Sequence, residues 1–458
     1  MSSNNEPRKA IDLSHHVNKM SRSRGASPLK HIFQYLAEPG MISLAGGLPH
    51  PSLFPYQQLD LKVYTPDAKI TPGEAVNSSM ALSLPQYANG NQLNTLSKAL
   101  QYYSGRGSPT LTALFYDFTA RIMRPGYANW QVLLNSGSTD GWSKVVNLFC
   151  EPGDYIIVEE HTFPSAQALW APMGCKGVAV KMDKDGMIPE DLERIMENWA
   201  TSHPGIKRPH LLYTVPVGQN PTGSTLTWER KKAIYEICVT YDIIICEDDP
   251  YYFLQLPQYV APSERSGEAP QGVAIIEELL VTWGQDGYLR WLLGIRENYG
   301  IRRDWIVDIV RDVFDVLPAG DDYDNDFIAV IKGHGKDTNP VPLFSFSYPK
   351  GGMFLYIKVH LGQNPDFKAL KDAGEEEPDE KWTREFWQEL IQEKILVTPH
   401  WFYAPVVGPG EEKKKEPDVA FFRLAFSYES REDMYIGVQR LAKAFGKSWQ
   451  NLTDYNVV

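Results

Sequence analysis

Cysteine is scarce in this chain: four in 458 residues, Cys150, Cys175, Cys238 and Cys246. No two have CxxC spacing and none stands with histidines at metal-ligand spacing. A disulfide scaffold and a metal site are therefore not expected, and the thiols read as reduced. Positive charge is also in short supply. Lys and Arg number 45 against 57 Asp and Glu, for a formal net charge of −12. Nucleic acids and anionic membranes are bound through clustered Lys and Arg, so neither is an expected partner. The one basic run, Lys413-Lys414-Lys415, is flanked by Glu411, Glu412 and Glu416 and reads as a solvated loop. No apolar run approaches membrane-spanning length and no signal-peptide core is seen, which makes the cytoplasm the expected address. One further absence matters most below: no lysine occurs between Lys232 and Lys332.

What is present is ordinary for a globular protein of this size, with 43% hydrophobic and 22% charged residues. Residues 1–30 are polar and read as an arm that orders on docking. From 110 onward helical and strand-like runs alternate. The expected helices are 110–123, 136–149, 165–171, 188–200 and 226–242. The expected strands are QVLLN (131–135), 155–159, 177–182, 210–216 and 243–248. Such alternation predicts an α/β domain with a mostly parallel sheet and helices on both faces. The short apolar strands lack polar alternation, as strands buried on both sides do. After Pro270 the pattern turns mainly helical. Strand-like runs at 351–359, 395–399 and 421–426 then suggest a smaller α+β unit. Segments 319–341 and 405–417 read as surface insertions.

Three pieces of this pattern carry chemistry. Val217-Gly218-Gln219-Asn220-Pro221-Thr222-Gly223 follows a predicted strand, where α/β sheets place ligands, although Asn-Pro and Thr-Gly also punctuate plain loops. Asp248 ends the next strand, ahead of Asp249-Pro250-Tyr251-Tyr252. A carboxylate there suits a protonated pyridine nitrogen, or simply a solvated strand end. Ser136-Gly137-Ser138-Thr139-Asp140 opens a helix. Its free N–H groups suit a phosphate, and its residue types equally suit an ordinary N-cap.

In order and spacing these pieces resemble the fold-type I pyridoxal 5'-phosphate (PLP) aminotransferases. Ser27-Pro28-Leu29-Lys30, Ile42-Ser43-Leu44-Ala45-Gly46-Gly47-Leu48-Pro49, Leu100-Gln101-Tyr102, Gly351-Gly352-Met353-Phe354 and Phe422-Arg423-Leu424-Ala425-Phe426-Ser427 resemble the aromatic / 2-aminoadipate (kynurenine-type) branch of class I. The resemblance spans nearly the whole chain. It implies a cofactor site in which Asn220 and Tyr251 reach the phenolic oxygen and Asp248 holds the pyridine nitrogen. Ser138 and Thr139 would bind the phosphate, and Phe163 would stack on the ring in place of the family's usual Tyr. Tyr102 would reach the phosphate of a second copy, which implies a homodimer. Arg423 would clamp the substrate carboxylate, and Gly46 and Gly47 would let the backbone approach substrate. Lys30 aligns with a position that contacts acidic substrate side chains in some members, and reads equally as an exposed lysine. The implied reaction moves an amino group between small-molecule substrates, from an aromatic amino acid or 2-aminoadipate to a 2-oxo acid such as 2-oxoglutarate.

The implied division is an N-terminal arm with a small-domain contribution (1–55), a large PLP-binding domain (56–300) and a C-terminal small domain (301–458). The family follows the strand bearing the Asp with two more strands and, between them, the Schiff-base lysine and a phosphate-binding Arg. Here Phe253–Pro257 runs through a polar stretch to Pro270 and then into Gly272–Leu280, which resembles a helix the family places well downstream. The missing pieces amount to at least ~40 residues. An internal deletion near 257–271 and an incomplete sheet are therefore expected. No residue is identified for the catalytic lysine's role; Lys332 and Lys336 lie in a polar, Gly-rich segment of the other domain. Two outcomes follow from this reading: a sequence that has lost a segment of an ordinary aminotransferase, or a noncatalytic PLP-binding isoform or paralogue that pairs with a full-length copy.

Overall fold

In the computed structural model the described residues are 8–25, 49–68, 78–88, 95–102, 105–264, 277–320, 323–333, 335, 340–407 and 416–449. The chain forms two compact units. One comprises Met1–Lys69, Val76–Cys150 and Val273–Trp291, the other Ile70–Ala75, Glu151–Gly272 and Leu292–Val458.

The first unit holds α1 (Lys19–Arg22), β1 (Gln58–Tyr64), β2 (Ser79–Pro85), α2 (Leu96–Ala99), α3 (Pro109–Ile122) and α4 (Ser138–Phe149). The arm docks through Asn18, whose side-chain amide donates to the carbonyls of Asn147 and Cys150 at the end of α4. β1 and β2 form an antiparallel hairpin running from Gln58 opposite Pro85 to Tyr64 opposite Ser79. α3 begins with Pro109, where a missing N–H costs nothing, and packs Phe118 against Tyr288. The strand expected at 131–135 is not formed. Those residues alternate between exposed and half-buried, and no described strand pairs with them. An apolar run becomes a strand only when neighbours supply its hydrogen bonds.

The second unit contains a parallel sheet in the order β4-β3-β7-β8. Its elements are β3 (Tyr155–Glu159), α5 (Pro164–Trp170), β4 (Lys176–Val180), a two-residue ribbon of β5 (Met182–Asp183) and β6 (Gly186–Met187), α6 (Pro189–Ser202), β7 (Leu211–Thr214), α7 (Trp228–Tyr241) and β8 (Ile244–Glu247). β3 and β7 are buried at every residue, which is why their sequences do not alternate. Leu192, Met196 and Trp199 of α6 join Ile234 and Ile237 of α7 in the core with Ile157, Val178 and Leu212. β8 differs: Ile244, Ile245 and Cys246 are only half-buried, and β8 ends the sheet with no described strand beyond it.

Next come α8 (Glu277–Val313), broken by a non-helical Gly284 (φ +67) and with its residues up to Trp291 counted with the first unit, β9 (Phe314–Pro318), β10 (Phe327–Ile331), β11 (Phe344–Phe346), β12 (Phe354–His360), α9 (Pro365–Asp372), α10 (Pro378–Gln392), β13 (Thr398–Pro399), β14 (Val419–Ala425) and α11 (Arg431–Ser448). The strands make an antiparallel sheet ordered β13-β14-β12-β11-β10-β9, backed by a core that includes Phe344, Leu355, Phe422, Leu441 and Phe445. The expected insertion at 319–341 is corrected here. It contains β10, hydrogen-bonded between β9 and β11, with Ile328 to Ile331 buried. Acidic and Gly-rich flanks masked five apolar residues. All four cysteines are free thiols. Among the described residues no helix is long and apolar enough to cross a membrane.

Candidate active site

The loop after β7 is held from beneath by a buried polar knot. Glu159, at the end of β3 and 1% exposed, accepts from Thr214 Oγ1 at 2.7 Å and from Gln219 Nε2 at 2.9 Å. Gln219 Nε2 also donates to the His161 carbonyl, and its Oε1 accepts from the backbone N–H and hydroxyl of Thr222 at 2.9 and 2.8 Å. Burial raises the Glu159 carboxyl to about 7, against the pull of these donors. The loop also needs its glycines. Gly218 (φ +55) lies so close to Gly352 that an added Cβ would meet the Gly352 nitrogen at 2.3 Å. The Gly351-Gly352 pair before β12 thus fits under the loop that presents Asn220.

Asn220 is 8% exposed, and its Oδ1 accepts from Arg423 Nη1 at 2.7 Å. Arg423, on β14, lies over the Phe354 ring (4.2 Å to the centroid) and near that of Tyr403 (5.3 Å). Its Nε is buried without a partner. Burial lowers its pKa, opposed by nearby Tyr403, Tyr251 and Tyr356. A guanidinium fixed this way still offers donors to an incoming carboxylate.

Asp248 follows β8, its backbone N–H donating to the Thr214 carbonyl. One oxygen, Oδ2, accepts from the Tyr213 hydroxyl at 2.7 Å, while Oδ1 is buried with no partner. A buried carboxylate oxygen lacking a donor is costly unless a ligand supplies one, and a protonated pyridine nitrogen is such a donor. Burial pushes the Tyr251 hydroxyl up to about 12, partly offset by Arg423 and reinforced by Asp248. Asn220, Arg423, Tyr251 and Asp248 therefore share one electrostatic neighbourhood, and their donor set fits PLP. Asp249 is raised to about 6 by burial and then by Glu247.

The other expected residues are placed as follows. Phe163 is half-buried and immediately precedes α5 as its N-cap residue. In the first unit, Ser138 and Thr139 are exposed at the start of α4, behind Gly137 at φ +143, with no side chain capping the helix. Those open N–H groups keep the phosphate reading available. Tyr102 is 73% exposed. Lys30, Gly46, Gly47 and Lys336 lie outside the described residues. Lys332 is committed elsewhere: its Nζ donates to the Arg311 carbonyl and sits 3.4 Å from Asp315. A cavity of about 450 Å³ opens in the second unit beside Glu160, His161, Tyr356, Lys358, Trp401 and Phe421, and none of Asn220, Asp248, Tyr251 or Arg423 lines it. Sequence reasoning missed Glu159, Tyr213 and the Gly218–Gly352 contact. The Glu at a strand end was the one available signal, and its partner Gln219 is visible only in space.

Known proteins resemble this chain over nearly its whole length. A family model described as aminotransferase class I and II matches residues 78–265. An aromatic amino acid aminotransferase of Schizosaccharomyces pombe is 30% identical over 500 aligned positions, covering 94% of this chain and 97% of the relative. The mitochondrial kynurenine/alpha-aminoadipate aminotransferase of Mus musculus is 27% identical, covering 96% of this chain and 100% of the relative. The crystal structure of aminotransferase Aro8 from Candida albicans is similar with a TM-score of 0.81 at 27% identity, covering 97% of this chain and 100% of that one.

Proposed function

The chain belongs to the aminotransferases of class I and II, and on that premise we propose that its substrates are an aromatic amino acid or 2-aminoadipate as amino donor and a 2-oxo acid such as 2-oxoglutarate as acceptor. By family it is a transaminase of fold type I with pyridoxal 5'-phosphate as its cofactor. The substrate reading follows the names of the relatives, which include both an aromatic and a kynurenine/alpha-aminoadipate enzyme. When bound, the cofactor supplies an electron sink for the substrate's α-carbon.

The chain's own residues divide the remaining work. Asp248 keeps the ring nitrogen protonated through its buried, unpartnered Oδ1, which is the observation that carries this reading. Asn220 presents its side-chain amide and Tyr251 its hydroxyl to the phenolic oxygen. Arg423, steadied by Asn220 and Phe354, takes the substrate carboxylate. By the same reading Ser138 and Thr139 would take the phosphate, Phe163 would stack on the ring, Gly46 and Gly47 would let the chain's own backbone approach the substrate, and Lys30 would meet an acidic substrate side chain. Exposed Tyr102 serves the site of a second copy in a cytoplasmic homodimer.

A proton-carrying lysine is the part this polypeptide lacks. Three observations favour a lost segment near 257–271. The family match stops at residue 265. An alignment 500 positions long that takes in 94% of a 458-residue chain must open gaps in it. β8 ends the sheet half-exposed. On that reading the active transaminase is a longer product of the same gene. The alternative, a lysine-free protein that pairs with a full-length copy, makes use of the same exposed Tyr102. Sequencing the transcript across the codons for Glu268 to Gly272 decides. An in-frame insertion encoding a lysine supports the first reading, and uninterrupted coding sequence supports the second. Assaying the restored form with aromatic donors, 2-aminoadipate and 2-oxoglutarate tests the substrate class; no transfer from any of them would overturn it.

A further inference from the structure

We propose that Glu159 is a positioning residue for Asn220, acting through Gln219 to fix the loop that meets the cofactor. This deepens the cofactor-binding reading above and rests on it. Glu159 has no path of its own to a ligand: it is 1% exposed at the end of β3. Its two oxygens face donors from β7 and the following loop, namely the Thr214 hydroxyl at 2.7 Å, the Gln219 amide at 2.9 Å and the Val215 N–H at 3.4 Å. Gln219 immediately precedes Asn220 and is itself 1% exposed. Its Nε2 is spent on Glu159 and the His161 carbonyl, and its Oε1 on Thr222, two residues beyond Asn220. The backbone closes the same turn, with Gly223 N–H donating to the Gln219 carbonyl at 2.6 Å and Gln219 N–H to the Ser224 carbonyl at 2.8 Å. Asn220 is thus held from both sides along the chain, with Glu159 as the fixed point.

Retaining a carboxylate in so dry a place has a cost, seen in the rise of its pKa to about 7. Packing alone would be met as well by an apolar residue, whereas orienting an amide that must address a ligand calls for directional bonds.

The test is a double-mutant cycle read by binding. Pyridoxamine 5'-phosphate, which needs no lysine to bind, is titrated into the full chain and followed by its fluorescence. Glu159→Ala is expected to weaken binding about tenfold. In an Asn220→Ala background the same substitution is expected to cost less than about twofold, because the residue it positions is gone. Glu159→Gln, whose carbonyl can accept from Gln219, is expected to fall between wild type and Glu159→Ala. If Glu159→Ala does not fold, Glu159→Gln in both backgrounds supplies the same cycle. Unchanged binding in the Glu159 variants, or an equal loss with and without Asn220, would overturn the positioning role while leaving the cofactor site standing. A wild-type chain that takes up no pyridoxamine phosphate would instead overturn the cofactor reading, and this proposal with it.

Discussion

Arg423 and Asn220 lie 203 residues apart in sequence and meet at 2.7 Å, guanidinium to side-chain carbonyl. The contact ties the antiparallel sheet to the loop after the parallel one, and it uses one arm of the guanidinium while leaving Nε buried and unpartnered. Arg423→Lys keeps the charge and removes the fork. We expect it to weaken 2-oxoglutarate binding to the pyridoxamine phosphate-loaded chain by about 1.5–3 kcal/mol. Calorimetric titration measures this directly, and an unchanged dissociation constant would take Arg423 out of the substrate site.

Asp248→Asn removes the charge and keeps the shape. The Tyr213 hydroxyl can still bond to the new side chain, so the fold is expected to hold. PLP affinity should drop about ten- to a hundredfold, as for loss of a hydrogen bond to a charged group. Equal affinity for the two proteins would mean that the unpartnered Oδ1 faces no ring nitrogen.

Gly218→Ala places a Cβ 2.3 Å from the Gly352 nitrogen at a φ of +55. The expected cost is about 2 kcal/mol or more in urea unfolding. Gly205, also at positive φ but with nothing within 4 Å of an added Cβ, is the control. Its alanine variant should lose only the smaller conformational part.

Glu159 also sets a pH dependence. Burial raises its carboxyl from 4.5 to about 7, so between those values the folded chain keeps a proton that the unfolded chain has released. Its contribution to stability is full below pH 4.5 and is lost as the pH rises through about 7, by on the order of 3 kcal/mol. Glu159→Gln cannot titrate. The gap between wild type and this variant should therefore change across that window in urea unfolding, and a constant gap would contradict it.

Much of this was legible in the sequence, for reasons that can be traced. Gln219-Asn220-Pro221-Thr222-Gly223 and Asp248 follow short, mostly apolar strands, and chemistry in a parallel sheet collects beyond such strand ends. Arg423 was legible only by resemblance, since nothing local distinguishes it from any strand-surface arginine. Pairing was not legible. QVLLN has the composition of a buried strand and pairs with no described strand, while Phe327–Ile331 sits among acidic and glycine residues and is a ladder-bonded strand of the six-stranded antiparallel sheet. Composition reports what a segment tolerates; neighbours decide what it becomes. The Glu159–Gln219 bond spans 60 residues and has no one-dimensional signature.

We propose that this polypeptide carries the family's cofactor site without the lysine that would hold the cofactor covalently. The direct measurement is to saturate the purified chain with PLP, reduce it with borohydride and weigh the intact protein. Binding seen by absorbance, with the protein mass unchanged after reduction and denaturation, is the predicted result. A pyridoxyl group fixed stoichiometrically to one lysine would contradict it and would name the residue that does the missing work.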